Sequence, residues 1–332
     1  MNNFISGMFI SWLLLATSQV YAEPMVYIAL GTGNQVIAID AATDSIIESY
    51  AGVNNPHGLV GTPDGEYLIA GSLSEKPLPK GTAANTPNSE LALIHLVHKH
   101  VMSTIPVTGM THHQAISPDG RYVVSTHTTR GNVSVVDLQE NKVITTVATG
   151  PAPNYTVFTK DGRTAYVSNT GNNSLSVIDT KSWKLTGSLQ AGPAPEHLVL
   201  SRDEKSLFVT NPRTGKVSGV SIAEGKVTRS WKIGAQVHGL DIGDDGKTLF
   251  ASAKKDEKLV AIDTVSGDMR DIKLTPQPYH LNTITGTGKV YVSSRKAPKI
   301  WVVDQKTLKV LSEIKLPVGE GHQMVIMKSA GG

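Results

Sequence analysis

The sequence predicts an all-β protein, a seven-bladed β-propeller with four antiparallel strands per blade and a ring closed by the C-terminal strand completing the first blade. Three observations carry this expectation. Seven β-rich segments end alike at nearly constant spacing, Asp-Gly hairpin turns recur with them, and the C-terminus supplies an apolar segment that the first repeat lacks. The 332 residues would accommodate two domains, yet so regular a period argues for one quasi-symmetric unit over 23–332.

The recurring segments are Val36 to Asp40, Leu91 to His95, Val133 to Asp137, Leu175 to Asp179, Val217 to Ser221, Leu259 to Asp263 and Ile300 to Asp304. Their last residues are spaced 55, 42, 42, 42, 42 and 41 apart. A polar turn follows each, and an Asp ending the strand can accept hydrogen bonds from backbone amides of that turn, so the periodic Asp reads as structural. Upstream lies a second strand rich in β-branched and aromatic residues, seen at Ala165 to Asn169, Leu207 to Asn211 and Val290 to Ser294. Before those come Thr62-Pro63-Asp64-Gly65, Ser117-Pro118-Asp119-Gly120, Thr159-Lys160-Asp161-Gly162 and Gly243-Asp244-Asp245-Gly246, each a strong hairpin signal. Four strands per repeat and seven repeats make a propeller. The first repeat lacks an innermost strand and the segment His322 to Met327 is left over, so the last strand is expected to complete the first blade and remove the open sheet edges.

The runs S-P-D-G-R at 117–121, A-Y-V-S-N at 165–169 and S-V-I-D-T at 176–180 resemble the YVTN-type seven-bladed propeller repeats of bacteria and archaea, over nearly the whole chain after residue 22. Ser201-Arg202-Asp203-Glu204 in blade 5 and Thr285-Gly286-Thr287-Gly288 in blade 7 depart from the pattern in their turns. The resemblance implies the fold and says little about activity, because such folds host unrelated functions. Propellers of similar fold include lactonases and carriers of copper clusters or of a d-type haem in periplasmic nitrogen metabolism.

Composition narrows the classes. Hydrophobic residues make up 39% and aromatics only 5%, which suits many short Val/Ile/Leu strands. A net charge of +3 over the whole chain is too weak and too dispersed to point to nucleic acid. The absence of cysteine excludes disulfides, thiolate ligands and a lipid-modified cysteine anchor. Residues 1–22 read as a signal peptide, with an apolar run from Phe9 to Ala16 and a small-residue cleavage pattern at Val20-Tyr21-Ala22, although no Lys or Arg precedes the run. No later stretch approaches the roughly 20 apolar residues a membrane span needs, so a soluble periplasmic protein is expected.

Histidine provides the functional signal. From His113 the series continues through Tyr155, His197, His238, His280 and His322 at gaps of 42, 42, 41, 42 and 42, each residue starting an innermost strand. With His57 and His112, these side chains should gather at one mouth of the central channel. Register leaves their aim open, since a one-residue slip turns a channel residue into a blade-facing one. His57 and His112 fall seven residues before the turn Asp while His113, Tyr155 and His197 fall six before it, and His238 reads either way, so about four of the seven histidines are expected to face the channel.

Two readings compete for this set. Each His can cap the start of its strand as a repeated structural residue. Alternatively His57, His112, His113, His197, His238, His280 and His322 form a metal site, because converging neutral imidazoles suit zinc, copper or iron. Met110 and Met324 lie close by for a soft ligand, though packing is their ordinary use. Glu196 and Glu320 adjoin the set and read first as solvated loop charges, second as partners of a His in acid/base or metal chemistry. His127, Arg130, Arg213 and Arg295, with Lys254, Lys255 and Lys296, are expected on the same face as a mildly basic rim for an anionic ligand. An insertion over 74–87 with Pro77, Pro79, Gly81 and Pro87 sits there too, a lid or a docking element for another periplasmic protein. His95, His98 and His100 belong to the opposite face, where a solvated polar edge competes with weak metal binding.

No Gly-x-Ser-x-Gly elbow, dinucleotide fingerprint or phosphate loop is present. Binding of a metal or small ligand is therefore expected ahead of catalysis. A lactonase-like hydrolase, a haem or copper electron-transfer component and a protein-interaction scaffold are the alternatives, haem being the less expected cofactor.

Overall fold

A computed structural model describes residues 24–83 and 85–327. The candidate signal peptide lies outside the described residues. Twenty-eight strands form seven four-stranded antiparallel sheets, and no helix occurs among the described residues. The expected propeller is the observed one, with strands ending at Asp40, His95, Asp137, Asp179, Ser221, Asp263 and Asp304 as the periodicity requires.

Closure follows the expected route. Strand Gly321–Met327 pairs antiparallel with Met25–Leu30, Met25 opposite Met327 and Leu30 opposite Gly321, as the innermost strand of blade 1. The seam between blades 7 and 1 is also held by Lys289, whose Nζ lies 2.8 Å from Asp44 Oδ1.

Each strand pair is joined by chemistry visible in the repeat. Asp40, Asp137 and Asp263 each accept from the backbone amides two and three residues on, at 2.7 to 3.3 Å. In the Asp-Gly hairpins the glycine takes a left-handed backbone, φ 80° at Gly65 and 75° at Gly120, which a side chain would oppose. Alternate residues of each strand point into opposite blade interfaces. Val123 packs toward blade 2 while Val124 packs toward blade 4, and seven apolar clusters fill the seven interfaces between blades. The core is thus a ring of interfaces around a central channel lined by innermost strands.

The hydroxyl in the Y-V-S/T-N run has a specific task. Ser168 Oγ accepts from Tyr155 N in its own blade at 3.0 Å and donates to Glu196 O in the next blade at 2.5 Å. Thr126 does the same with His113 N at 3.0 Å and Asn154 O at 2.9 Å, and Ser252 with Gly239 N at 2.9 Å and Tyr279 O at 2.5 Å. One hydroxyl therefore fixes two adjacent innermost strands at the residues that line the channel mouth.

Candidate functional site

The innermost strands carry a bulge where they enter the ring. His57 and Gly58 together oppose Gly71, Asn154 and Tyr155 oppose Ser168, His238 and Gly239 oppose Ser252, Tyr279 and His280 oppose Ser293, and His322 and Gln323 oppose Ala29. In blades 3 and 5 the backbone of Thr126 brackets His112 and His113, and that of Thr210 brackets Glu196 and His197, in the same two-to-one relation. A bulge re-aims side chains that strict alternation would send to opposite faces. Seven blades thus offer two ranks of residues. The leading rank is His57, His112, Asn154, Glu196, His238, Tyr279 and His322; in the following rank, His113, Tyr155, His197 and His280 carry the rings.

This corrects the expectation that about four histidines face the channel, because all seven meet. Neighbouring rings lie 4.2 Å apart for His57 and His322, 4.5 Å for His57 and His112, 4.2 Å for His112 and His113, and 4.5 Å for His197 and His238. In the following rank His113, His197 and His280 form a triangle with sides of 5.1, 4.9 and 5.5 Å. Tyr155 closes one edge, 4.8 Å from both His113 and His197. Six of the seven are at most 7% exposed and His112 is half-buried.

Hydrogen bonds fix which nitrogen of several rings carries the proton. His113 Nδ1 is 3.0 Å from the Asn154 carbonyl, so Nδ1 donates and Nε2 keeps its lone pair. His238 Nδ1 faces Glu196 Oε2 at 3.2 Å and His322 Nε2 faces Glu320 Oε1 at 3.3 Å, leaving His238 Nε2 and His322 Nδ1 as lone pairs. Both nitrogens of His57, Nδ1 of His112 and His322, and Nε2 of His113 and His197 are buried without a protein partner. Buried polar atoms in folded proteins are nearly always satisfied, so this concentration marks a place built for a ligand. His238 Nε2 and His280 Nε2 are 3.4 Å apart.

Burial, and then the neighbouring imidazoles, hold His57 and His280 well below the ordinary histidine range. Burial is also the main cause for His113, His197 and His238, and it brings His112 down to about 4. These six rings are neutral at pH 7 and free to coordinate. Two sets bring their ligand nitrogens within 4.8 Å of one another, His57 with His113 and His280, and His197 with His238 and His280.

Around the imidazoles stands a charged collar. Glu196 and Glu320 are not the solvated loop charges they resembled. Glu196 occupies the leading rank beside His238, and burial raises its pKa. Glu320 also binds Arg295 at 2.8 Å and accepts from Thr32 Oγ1 at 3.0 Å. The Tyr279 ring stacks on His238 at 4.3 Å and 8°, with the Lys254 ammonium 5.2 Å and the Arg295 guanidinium 5.4 Å from its centroid. Tyr279 is the leading-rank residue of blade 7, and its place beside His280 is the one signal of it in the sequence.

Other expected site residues are elsewhere. His127 replaces the Asn of the repeat motif and does that residue's work, with Nδ1 donating to Met110 O at 3.1 Å and Nε2 2.8 Å from Ser134 Oγ, as Asn211 bonds Ala191 O and Ser218 in blade 5. It has no lone pair to spare. Arg130 pairs with Glu75 at 3.4 Å, and Glu75 also accepts from Met110 N at 2.8 Å and Asn88 Nδ2 at 3.0 Å, so this ion pair pins the base of the 74–87 insertion. Arg213 is exposed in its loop. Met324 packs among Ile28, Ile37 and Tyr291 in the seam between blades 1 and 7 and faces away from the imidazoles. His95, His98 and His100 stack in a row at 4.2 and 5.9 Å, with His95 Nδ1 already accepting from His98 N at 3.1 Å.

Comparison with known proteins bears on fold alone. Residues 154–248 match the family model of the YNCE-like beta-propeller, in keeping with the YVTN-type resemblance. No curated protein sequence matches significantly. Among solved structures, the hydrazine synthase of Kuenenia stuttgartiensis superposes with a TM-score of 0.70 at 15% identity, over 93% of this chain and 100% of that one. The periplasmic gluconolactonase of Pseudomonas aeruginosa gives 0.73 at 17%, over 92% and 99%. The dihydro-haem d1 dehydrogenase NirN, in complex with DHE, gives 0.66 at 15%, over 89% of this chain and 64% of that one.

Proposed function

Starting from a seven-bladed propeller of the YVTN type, we propose that this protein is an exported binding protein that holds a transition metal in the histidine funnel. One observation carries the reading: seven imidazoles from six blades converge, six of them at most 7% exposed, with five of the seven presenting at least one buried ring nitrogen that no protein group satisfies. A structural role for these residues would end in satisfied nitrogens, as it does at His127. The Glu196–His238 and Glu320–His322 contacts are the carboxylate–histidine arrangement that orients metal-bound imidazoles and raises their basicity. Neighbouring rings lie only 4.2 to 5.7 Å apart, too close for a haem macrocycle to enter between them.

Export to the periplasm is part of the proposal, supported by the apolar run at residues 9–16 and by the absence, among the described residues, of a helix long and apolar enough to cross a membrane. The insertion at 74–87 would then face a periplasmic partner on the side of the funnel.

A hydrolase reading draws on the Glu196–His238 pair, where a buried carboxylate with a raised pKa adjoins an imidazole. The two are separable. Elemental analysis of protein purified from its own periplasm should show a transition metal that is absent from a variant in which His113, His197 and His280 are all replaced by Gln. Metal-free protein of full folded content, together with lactone hydrolysis lost in Glu196→Gln, would replace the binding reading with the enzymatic one.

A further inference from the structure

We infer that the funnel holds two metal ions rather than one, both cuprous, in two three-imidazole sets bridged by His280 as an imidazolate, whose ring proton leaves to solvent on loading; this deepens the proposed metal-binding function and rests on it. The first set is His57, His113 and His280 and the second is His197, His238 and His280. Seven imidazoles exceed what one ion can use, since a nitrogen-ligated metal of this size takes about four donors. The donors also fall into two pairs. His57 and His113 stand 4.9 Å apart, His197 and His238 stand 4.5 Å apart, the pairs adjoin where His113 and His197 are 5.1 Å apart, and His280 lies within 5.5 Å of all four.

Spacing is close to what coordination requires. Two nitrogens at about 2.0–2.1 Å from one metal lie about 3.3–3.6 Å apart. His238 Nε2 and His280 Nε2 already meet that spacing at 3.4 Å, and the remaining pairs within 4.8 Å need ring rotations and shifts of about an ångström. His57 has both nitrogens free and His113 and His197 have Nε2 free, so these three supply lone pairs without breaking a hydrogen bond to protein, while His280 gives up its Nε2 contact with His238 Nε2 as it loses its proton. His322 and His112 remain outside the sets, His322 held by Glu320.

Charge selects the metal. Neither set contains a carboxylate. The adjacent Glu196 and Glu320 are matched by Lys254 and Arg295, so the collar adds no net negative charge. Desolvating an ion costs more as its charge grows, and against the single negative charge of the bridging imidazolate two divalent ions would leave three uncompensated charges where two monovalent ions leave one. Imidazole accepts copper readily, and a closed-shell cuprous ion is content with three ligands in a dry site.

The test is anaerobic titration of the metal-free full chain with cuprous ion, supplied as its acetonitrile complex, against a chromogenic cuprous chelator, with a parallel zinc titration. Wild type should bind two equivalents of copper, His57→Ala and His197→Ala one each, and His280→Ala should lose at least one with a tenfold or greater weakening of any that remains. If either alanine variant fails to fold by circular dichroism, His113→Gln tests the first set and His238→Gln the second. One equivalent in wild type, or a count unchanged in His197→Ala and His238→Gln, overturns the two-ion arrangement while leaving metal binding standing. Preferential uptake of zinc overturns the cuprous assignment. Failure to bind either metal removes the proposed function itself.

Discussion

Acidifying the metal-free protein should destabilise it far more steeply than its size alone would suggest. His57, His113, His197, His238 and His280 are all held well below the ordinary histidine range, first by burial. In the unfolded chain each regains a pKa near 6.5. Because the folded values are depressed, the stability these groups permit is complete above about pH 6.5 and is lost as pH falls from there toward the folded pKa values. At pH 5.5 an unfolded histidine gains about 1.4 kcal/mol from protonation that a folded one kept neutral forgoes, so five forgo at most about 7 kcal/mol. Glu196 and Asp241 oppose the trend, since burial raises both and the folded state gains stability as they take protons, but they are two groups against five. A total stability of about 5–15 kcal/mol would be largely consumed. Urea unfolding at pH 7.5 and 5.5, followed by tryptophan fluorescence, measures the difference directly. A change below about 1 kcal/mol would mean that the funnel accepts protons at no cost, and the account of a dry, neutral imidazole cluster would be wrong.

Three further outcomes follow from the packing. Removing residues 321–332 deletes the innermost strand of blade 1 and the buried Met324 and Met327, worth about 1.5–3 kcal/mol each before any ladder hydrogen bonds are counted, so the truncated chain should show no cooperative thermal transition. Gly58→Ala would set a Cβ 1.9 Å from Gln114 Oε1 and 2.7 Å from the His112 carbonyl; a loss of about 1–3 kcal/mol in chemical denaturation is expected, and no loss would show that the following rank has room. Ser168→Ala removes the hydroxyl joining Tyr155 N to Glu196 O and should cost about 1–3 kcal/mol, whereas the exposed Ser182→Ala, at the outer turn, should cost less than 1 kcal/mol in the same assay.

Fold was legible because it is written seven times. The turn Asp, the Asp-Gly hairpin and the alternating strand are local signals, and repetition made each reading check the others. Closure was legible by counting strands. The site was legible only in its membership. A period of 42 placed the histidines at one mouth, but a bulge adds a residue locally without disturbing the period, so the aim of each ring could not be counted from the turn Asp. His57 and His113 sit in different ranks and nevertheless meet at 4.9 Å. His127 misled for a related reason, since it stands where the repeat has Asn and only its bonds to Met110 and Ser134 show it doing that residue's work. Glu196 lay hidden in plain sight, one residue before His197 and equivalent to His238 once the ranks are drawn.

The central claim is that metal sits among the converging imidazoles. Anomalous scattering from crystals of copper-loaded protein tests it most directly. Two peaks are expected inside the funnel, one between His57, His113 and His280 and one between His197, His238 and His280, with nitrogen ligands at about 2.0 Å. A funnel without anomalous density, with copper bound only at exposed side chains such as His98 and His100, would contradict it.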